Sequence, residues 1–145
     1  KYKLRRLRTL AGESIGGSAC LADDKIFMRK VAAAEIELKA LEYTELRTLA
    51  SISSGKAPGP ESSILKIAGT DLIQRIDSLY LEASGYYALP YVRDQYVPDF
   101  PAADYVGEGT ETTSALSYFN NRKHTIFAGS NEIQKNIIAK HVLGL

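Results

Sequence analysis

The sequence predicts an all-α protein, packed as an antiparallel helical bundle. Three observations carry this expectation. Apolar residues recur at steps of three and four through long stretches, which is the mark of one buried helix face. No stretch shows the strict alternation of a half-buried strand. Clusters of glycine and proline fall between the periodic stretches, where they stop and start helices.

The first element spans residues 1–12, with Leu4, Leu7 and Ala11 at helical spacing. Lys1, Lys3, Arg5, Arg6 and Arg8 lie between them and read as a solvated face. A phosphate-binding strip is the sharper alternative, but only Tyr2 is there to stack on a base. Gly12 to Ala22 reads as a loop. Asp23 or Asp24 then offers a side-chain oxygen to cap a helix over about 25–52. Val31, Ala34, Leu38, Leu41 and Leu49 form its stripe, interrupted by Glu45, which predicts partial burial. The segment GKAPGP, Gly55 to Pro60, ends it.

The next helix starts near Pro60, with Glu61 at its positive end. Leu65, Ala68, Leu72, Ile76, Leu79 and Ala83 make one apolar stripe. Ile64, Ile67, Ile73 and Tyr80 make a second flank. A helix apolar on two sides belongs at the centre of a bundle or at an interface. Gly85 and Pro90 end it. Residues 86–110, rich in tyrosine and proline, predict an irregular loop whose rings pack on something. A short helix over 111–121 follows. The closing stretch, Thr125 to Leu145, passes through a small polar turn into the last helix, with Ile133, Ile137, Ile138 and Val142 on one face.

Bulk properties narrow the function. A length of 145 residues fits a single domain, 1–145. A net charge of +1 implies no global attraction to nucleic acid or membrane. One cysteine, Cys20, precludes an internal disulfide and suits a reducing, cytoplasmic compartment. No apolar run reaches the length of a membrane span. The chain begins with Lys1 in what already reads as mid-helix, which predicts a piece of a longer protein.

Two matches to catalytic patterns carry little weight. Gly12-Glu13-Ser14-Ile15-Gly16 fits G-x-S-x-G, but a nucleophile elbow needs a strand before it. Ser63-Ile64-Leu65-Lys66 fits S-x-x-K without the companion motifs. His124 and His141 have no ligand-type residue at metal spacing, so no metal site is expected.

The turn before the last helix holds more. Gly129 frees the backbone, Ser130 or Asn131 can cap, and Glu132 suits the first turn. This is a complete helix start. Free N–H groups at such a start can also face an anion. The run from Phe127 to Lys140, FAGSNEIQKNIIAK, resembles the C-terminal signature of the acyl-CoA dehydrogenase family. AAAEIELKALEYTELRTLA (Ala32–Ala50), SSILKIAGTDLIQ (Ser62–Gln74) and the phrase from Leu81 to Tyr87 resemble the long helices of the same family's C-terminal domain.

That resemblance implies an up-and-down four-helix bundle and a parent enzyme that oxidises the Cα–Cβ bond of an acyl-CoA thioester. A carboxylate takes the α-proton. FAD takes the β-hydrogen and passes electrons to an electron-transfer flavoprotein. It further implies that Ser130, Asn131, Glu132 and Gln134 contact FAD, and that Phe127, Ala128 and Gly129 border the substrate. A tetramer, homo- or hetero-, is implied as well. Ala128 is a departure. Medium- and short-chain members carry the catalytic glutamate there, whereas the isovaleryl-type branch has Ala-Gly and a glutamate from an earlier helix. That helix resembles the one entered at Lys1, so the base is expected upstream and no catalytic residue within this chain. Other readings are a non-catalytic helical partner in a hetero-oligomer, or a related flavin oxidase or monooxygenase.

CLADDKIFMRK stands where the family often has Arg-x-x-Phe-Gly, and the Phe-Gly-Gly-Asn-Gly segment is replaced. The N-terminal helical and middle β domains of the family have no counterpart. The chain alone is therefore not expected to retain FAD.

Overall fold

The computed structural model describes residues 1–13, 19–57, 59–90 and 114–145. Among them are five α-helices and no strand. Helix α1 spans Tyr2–Gly12 and buries Leu4, Leu7, Leu10 and Ala11. Helix α2 spans Lys25–Ser53. Asp24 is the cap: its carboxylate accepts from the Ile26 and Phe27 amides at 2.7 and 3.2 Å. Phe27, Val31 and Ala34 follow at steps of four and three and are fully buried.

The other end of α2 shows why GKAPGP stops a helix. Gly55 takes a left-handed φ of +86°. Its N–H reaches the Ile52 carbonyl and the Lys56 N–H reaches that of Ser51, which together satisfy the last turn. Helix α3, Glu61–Ser84, starts on the Pro60 carbonyl and ends where Gly85 turns left-handed at φ +54°. Helices α4, Ser114–Asn121, and α5, Asn131–Ile138, are joined by a 3₁₀ turn at Arg122–Thr125. A π turn at Ala139–Leu143 finishes the chain.

Ion pairs and hydrogen bonds reveal the directions of the helices. Lys30 of α2 meets Glu82 of α3, and further along Glu37 meets Arg75. Numbers that rise on one helix fall on the other, so α2 and α3 are antiparallel. Arg8–Glu35 and Lys1–Glu42 give the same relation between α1 and α2. Ser84 meets Ser114 and Asp77 meets Asn121, so α4 runs against α3. The first four helices thus run up, down, up and down, as the sequence led us to expect.

Helix α3 touches all four other α-helices. That central position accounts for both of its apolar flanks. Leu72, Ile76, Leu79 and Ala83 join Leu7, Phe27 and Val31 in the core, and Tyr80 packs against it. The α2 stripe runs out where predicted: Leu38 and Leu41 are half-buried, while Leu49 and Ile52 are exposed.

The basic face of α1 is solvated, with Lys1, Arg5, Arg6 and Arg8 exposed, and it also makes ion pairs to other helices. Lys3 reaches buried Asp77, Arg8 grips Glu35, and Lys1 pairs with Glu42. The predicted loop from Gly12 contains a 3₁₀ turn at Leu21–Asp23. Tyr86 does not pack: it lies 88% exposed, because the chain turns outward at Gly85. The apolar face of the last helix is partly open: Ile133 and Val142 are more than half exposed, while Ile137 and Ile138 are half-buried. The tyrosines from Tyr91 to Tyr105, most of the G-x-S-x-G match and the start of the 111–121 helix lie outside the described residues.

Candidate functional site

The site is built from the end of α4 forward. Arg122 locks this end to α3. Its Nη2 donates to the Gln74 carbonyl, its Nε donates to the Tyr118 carbonyl, and its guanidinium stacks 4.2 Å from the Tyr118 ring centroid. Gln74 answers by donating to the Asn121 and Arg122 carbonyls. The chain then tightens, with the Ile126 and Phe127 amides both on the Lys123 carbonyl.

Two successive left-handed residues make the turn itself, Ala128 at φ +56° and Gly129 at φ +86°. The first is unusual, because a methyl group there crowds the backbone. Gly129 is required. A Cβ on it would sit 2.6 Å from the Gln134 side-chain nitrogen. The glycine therefore lets the Gln134 amide lie close over the turn. Ser130 caps α5, accepting from the Ile133 amide at 3.4 Å. Glu132, on the solvent side of the first turn, has its carboxyl held below the usual carboxylate range. Its own backbone N–H and the Ser130 hydroxyl do most of this, helped by Lys135 and Lys66.

Asn131 points the other way. It is buried, and its side-chain oxygen accepts from Lys66 Nζ at 2.7 Å and Thr70 Oγ1 at 3.3 Å. Its amide donates to Asp71 at 3.2 Å. The start of α5 is thus pinned to one face of α3. Lys66, the lysine that closes the S-x-x-K match, has this structural partner.

A second polar chain runs beneath the turn. Asp77 is only 1% exposed, in the middle of the core face of α3. Lys3 Nζ donates to its Oδ1 at 2.7 Å, and Asn121 Nδ2 donates to its Oδ2 at 2.7 Å. The Asn121 oxygen faces His124 Nε2 at 3.0 Å. The His124 ring meets Phe127 edge-on, with centroids 5.0 Å apart. Buried polar atoms are satisfied throughout the described residues.

A family model described as the acyl-CoA dehydrogenase C-terminal domain matches residues 3–143. The chain belongs to that family. Its membership agrees with the helical bundle and with the signature at Phe127–Lys140. This acyl-CoA dehydrogenase domain is similar to a chain in the crystal structure of the ChsE4-ChsE5 complex from Mycobacterium tuberculosis. The likeness has a TM-score of 0.73 at 25% identity and covers 99% of this chain. It covers 35% of that chain, so the domain spans about a third of its neighbour's length. Comparison with curated proteins finds no match.

The residues that the acyl-CoA dehydrogenase resemblance singled out do not all share one surface. Phe127, Ala128 and Gly129 are exposed, with Ser130, Glu132 and Gln134 beside them on the same turn. Asn131 alone is turned into the bundle. Sequence reasoning missed Asp77, Asn121 and His124 as a connected set. A carboxylate directly after Ile76 on a core stripe was the available signal. Two grooves of about 530 and 570 Å³ lie elsewhere, one between α1 and α2, the other where α2 and α3 meet. Among the described residues no group of three His, Cys, Asp or Glu is placed to hold a metal. Nor is any described helix long and apolar enough to cross a membrane.

Proposed function

We propose that this domain works as the C-terminal part of an FAD-dependent acyl-CoA dehydrogenase, where it supplies one wall of the flavin and thioester site and part of a tetramer interface. Family membership across residues 3–143, joined to the geometry of the Phe127–Gln134 turn, supports this reading. Ala128 and Gly129 present backbone with little side chain, so a planar group and a thioester can approach closely. FAD, when bound, accepts the hydride from the substrate's β-carbon.

The residues present fit that cofactor in part. Ser130 and Gln134 are polar, small or mobile, and close to the turn, so they would hold it. Glu132 favours the helix start electrostatically and orders the same turn. Asn131 does not fit, because its side chain is fully used on α3. We assign it to positioning α5. Phe127 would border the reacting end of the substrate. The α-proton goes to a carboxylate outside this chain, since an alanine at 128 cannot accept it.

The interface is placed on exposed apolar surface. Ile36, Tyr43 and Leu46 share the outward side of α2 at 70, 68 and 60% exposure, and α5 adds Ile133 and Val142. A partner subunit and an electron-transfer flavoprotein complete the assembly.

The test is to purify the longer protein that contains this domain with its partners, then add acyl-CoA thioesters under anaerobic conditions. The flavin absorbance is expected to bleach, and an electron-transfer flavoprotein to restore it. Bound flavin that no acyl-CoA reduces would overturn the reading. Rapid oxygen consumption on substrate addition would move the assignment to an oxidase or monooxygenase. A second reading, a non-catalytic partner in a hetero-oligomer, is favoured by Ala128 and by a neighbour solved as a two-component complex. It predicts no flavin on the subunit's own face.

A further inference from the structure

We propose that His124 is a ligand-contacting residue, held by the Lys3–Asp77–Asn121 chain so that its Nδ1 offers a lone pair to a hydrogen-bond donor of the molecule bound at the Phe127–Gly129 turn. The argument is one of hydrogen-bond logic. The Asp77 carboxylate accepts from Lys3 on one oxygen and from Asn121 on the other. A carboxylate that accepts fixes which end of the Asn121 amide faces it: the NH₂. The Asn121 oxygen must then face His124, at 3.0 Å from Nε2. An amide oxygen only accepts, so Nε2 carries the hydrogen. In the neutral ring that leaves Nδ1 bare, and among the described residues it has no hydrogen-bond partner.

The ring's location gives the lone pair a purpose. His124 lies edge-on to Phe127, and its half-buried position leaves part of it open. The ligand class that fits is one bearing an amide N–H or hydroxyl, as an acyl-CoA does. This identification of the ligand rests on the proposed function, whereas the tautomer does not. Asp77 and Asn121 are positioning residues in this scheme, because they act only through His124.

Two measurements test it. In this 145-residue chain labelled with ¹⁵N-histidine, His124 is expected to show an exchange-protected Nε2–H and an unprotonated Nδ1. His141→Gln assigns the signals, since the chain has two histidines. Asn121→Ala should abolish the protection while the helical signal persists, and Asp77→Asn should weaken it. A hydrogen on Nδ1 in the wild type, or unchanged protection in Asn121→Ala, overturns the relay.

In the flavin-loaded parent, His124→Phe keeps the ring contact and removes the lone pair. We expect KM for the best acyl-CoA to rise about three- to tenfold with kcat little changed, as for one lost neutral hydrogen bond. A wild-type KM in that variant overturns the ligand contact and leaves the dehydrogenase reading intact. Failure of the wild type to be reduced sinks the dehydrogenase reading and this contact with it, while the labelled spectrum still decides the relay.

Discussion

Ala128 holds a methyl group at φ +56°, a conformation that costs a non-glycine residue roughly 1–2 kcal/mol. Glycine would remove that strain, while its freer unfolded chain gives back about 0.4–1 kcal/mol. Ala128→Gly should therefore be neutral or stabilising by up to about 1.5 kcal/mol in urea denaturation. Ala40→Gly, on the exposed side of α2, should instead cost about 1 kcal/mol. A destabilised Ala128→Gly would mean that the turn is not left-handed there. The helix start itself was legible, since glycine, a serine cap and a first-turn glutamate are local chemistry. The inward turn of Asn131 was not. Its partners Lys66, Thr70 and Asp71 lie some sixty residues away, and no local spacing announces them.

Between elements, the Lys3–Asp77 pair joins α1 to α3 with very unequal burial, 43% exposure for the lysine side chain and 1% for the carboxylate. The two partners should not be equivalent. Lys3→Met strands a buried carboxylate with Asn121 alone and should cost about 3 kcal/mol. Asp77→Asn removes the charge, keeps most of the hydrogen bonding, and should cost about 1–2 kcal/mol. In the double variant the losses should fall short of additive, measured by chemical denaturation. Equal single effects would argue against a buried carboxylate.

Arg8 and Glu35 join α1 to α2 by a two-pronged contact at 2.6 and 2.7 Å. The Arg8 hydrogen bond holds the Glu35 carboxyl below its ordinary 4.5 and lifts the arginine. A depressed carboxyl contributes stability above its unfolded value and loses it as pH falls through the folded one. Both side chains are more than a third exposed, so the contribution is small. Glu35→Gln should cost less than about 1 kcal/mol at pH 7, and the difference should vanish once pH drops well below 4.5. At this scale the fold was largely legible, because capping by Asp24, the stop at Gly55 and the stripe of α3 are written in short windows. Phe27, the largest fully buried side chain, sits in the first turn of α2 and was overlooked as core. Only the packing of α1 and α3 around it makes that turn interior.

At the scale of the whole domain, Ile36, Tyr43 and Leu46 stand exposed along one side of α2. Replacing Ile36 with Lys and Leu46 with Glu together should leave the helical content unchanged and lower the association state in sedimentation velocity. An unchanged association state would remove α2 from the proposed interface. The isolated 145-residue chain should bind no stoichiometric FAD in equilibrium dialysis, because the proposed flavin site would have only one wall in this chain, the Phe127–Gln134 turn. Retained yellow flavin would show that the domain carries more of the site than the Phe127–Gln134 turn.

The hydrogen bonds from α5 to α3 all converge on Asn131, and this gives the domain an inheritance pattern of its own. Variants at Lys66 or Thr70 would arise some sixty residues before the turn, in a helix whose core remains packed. If the turn binds as proposed, they would present as binding defects in a protein that still folds. A screen sorted by expression level would pass them, and a screen sorted by turnover would place them with the signature residues of the final helix.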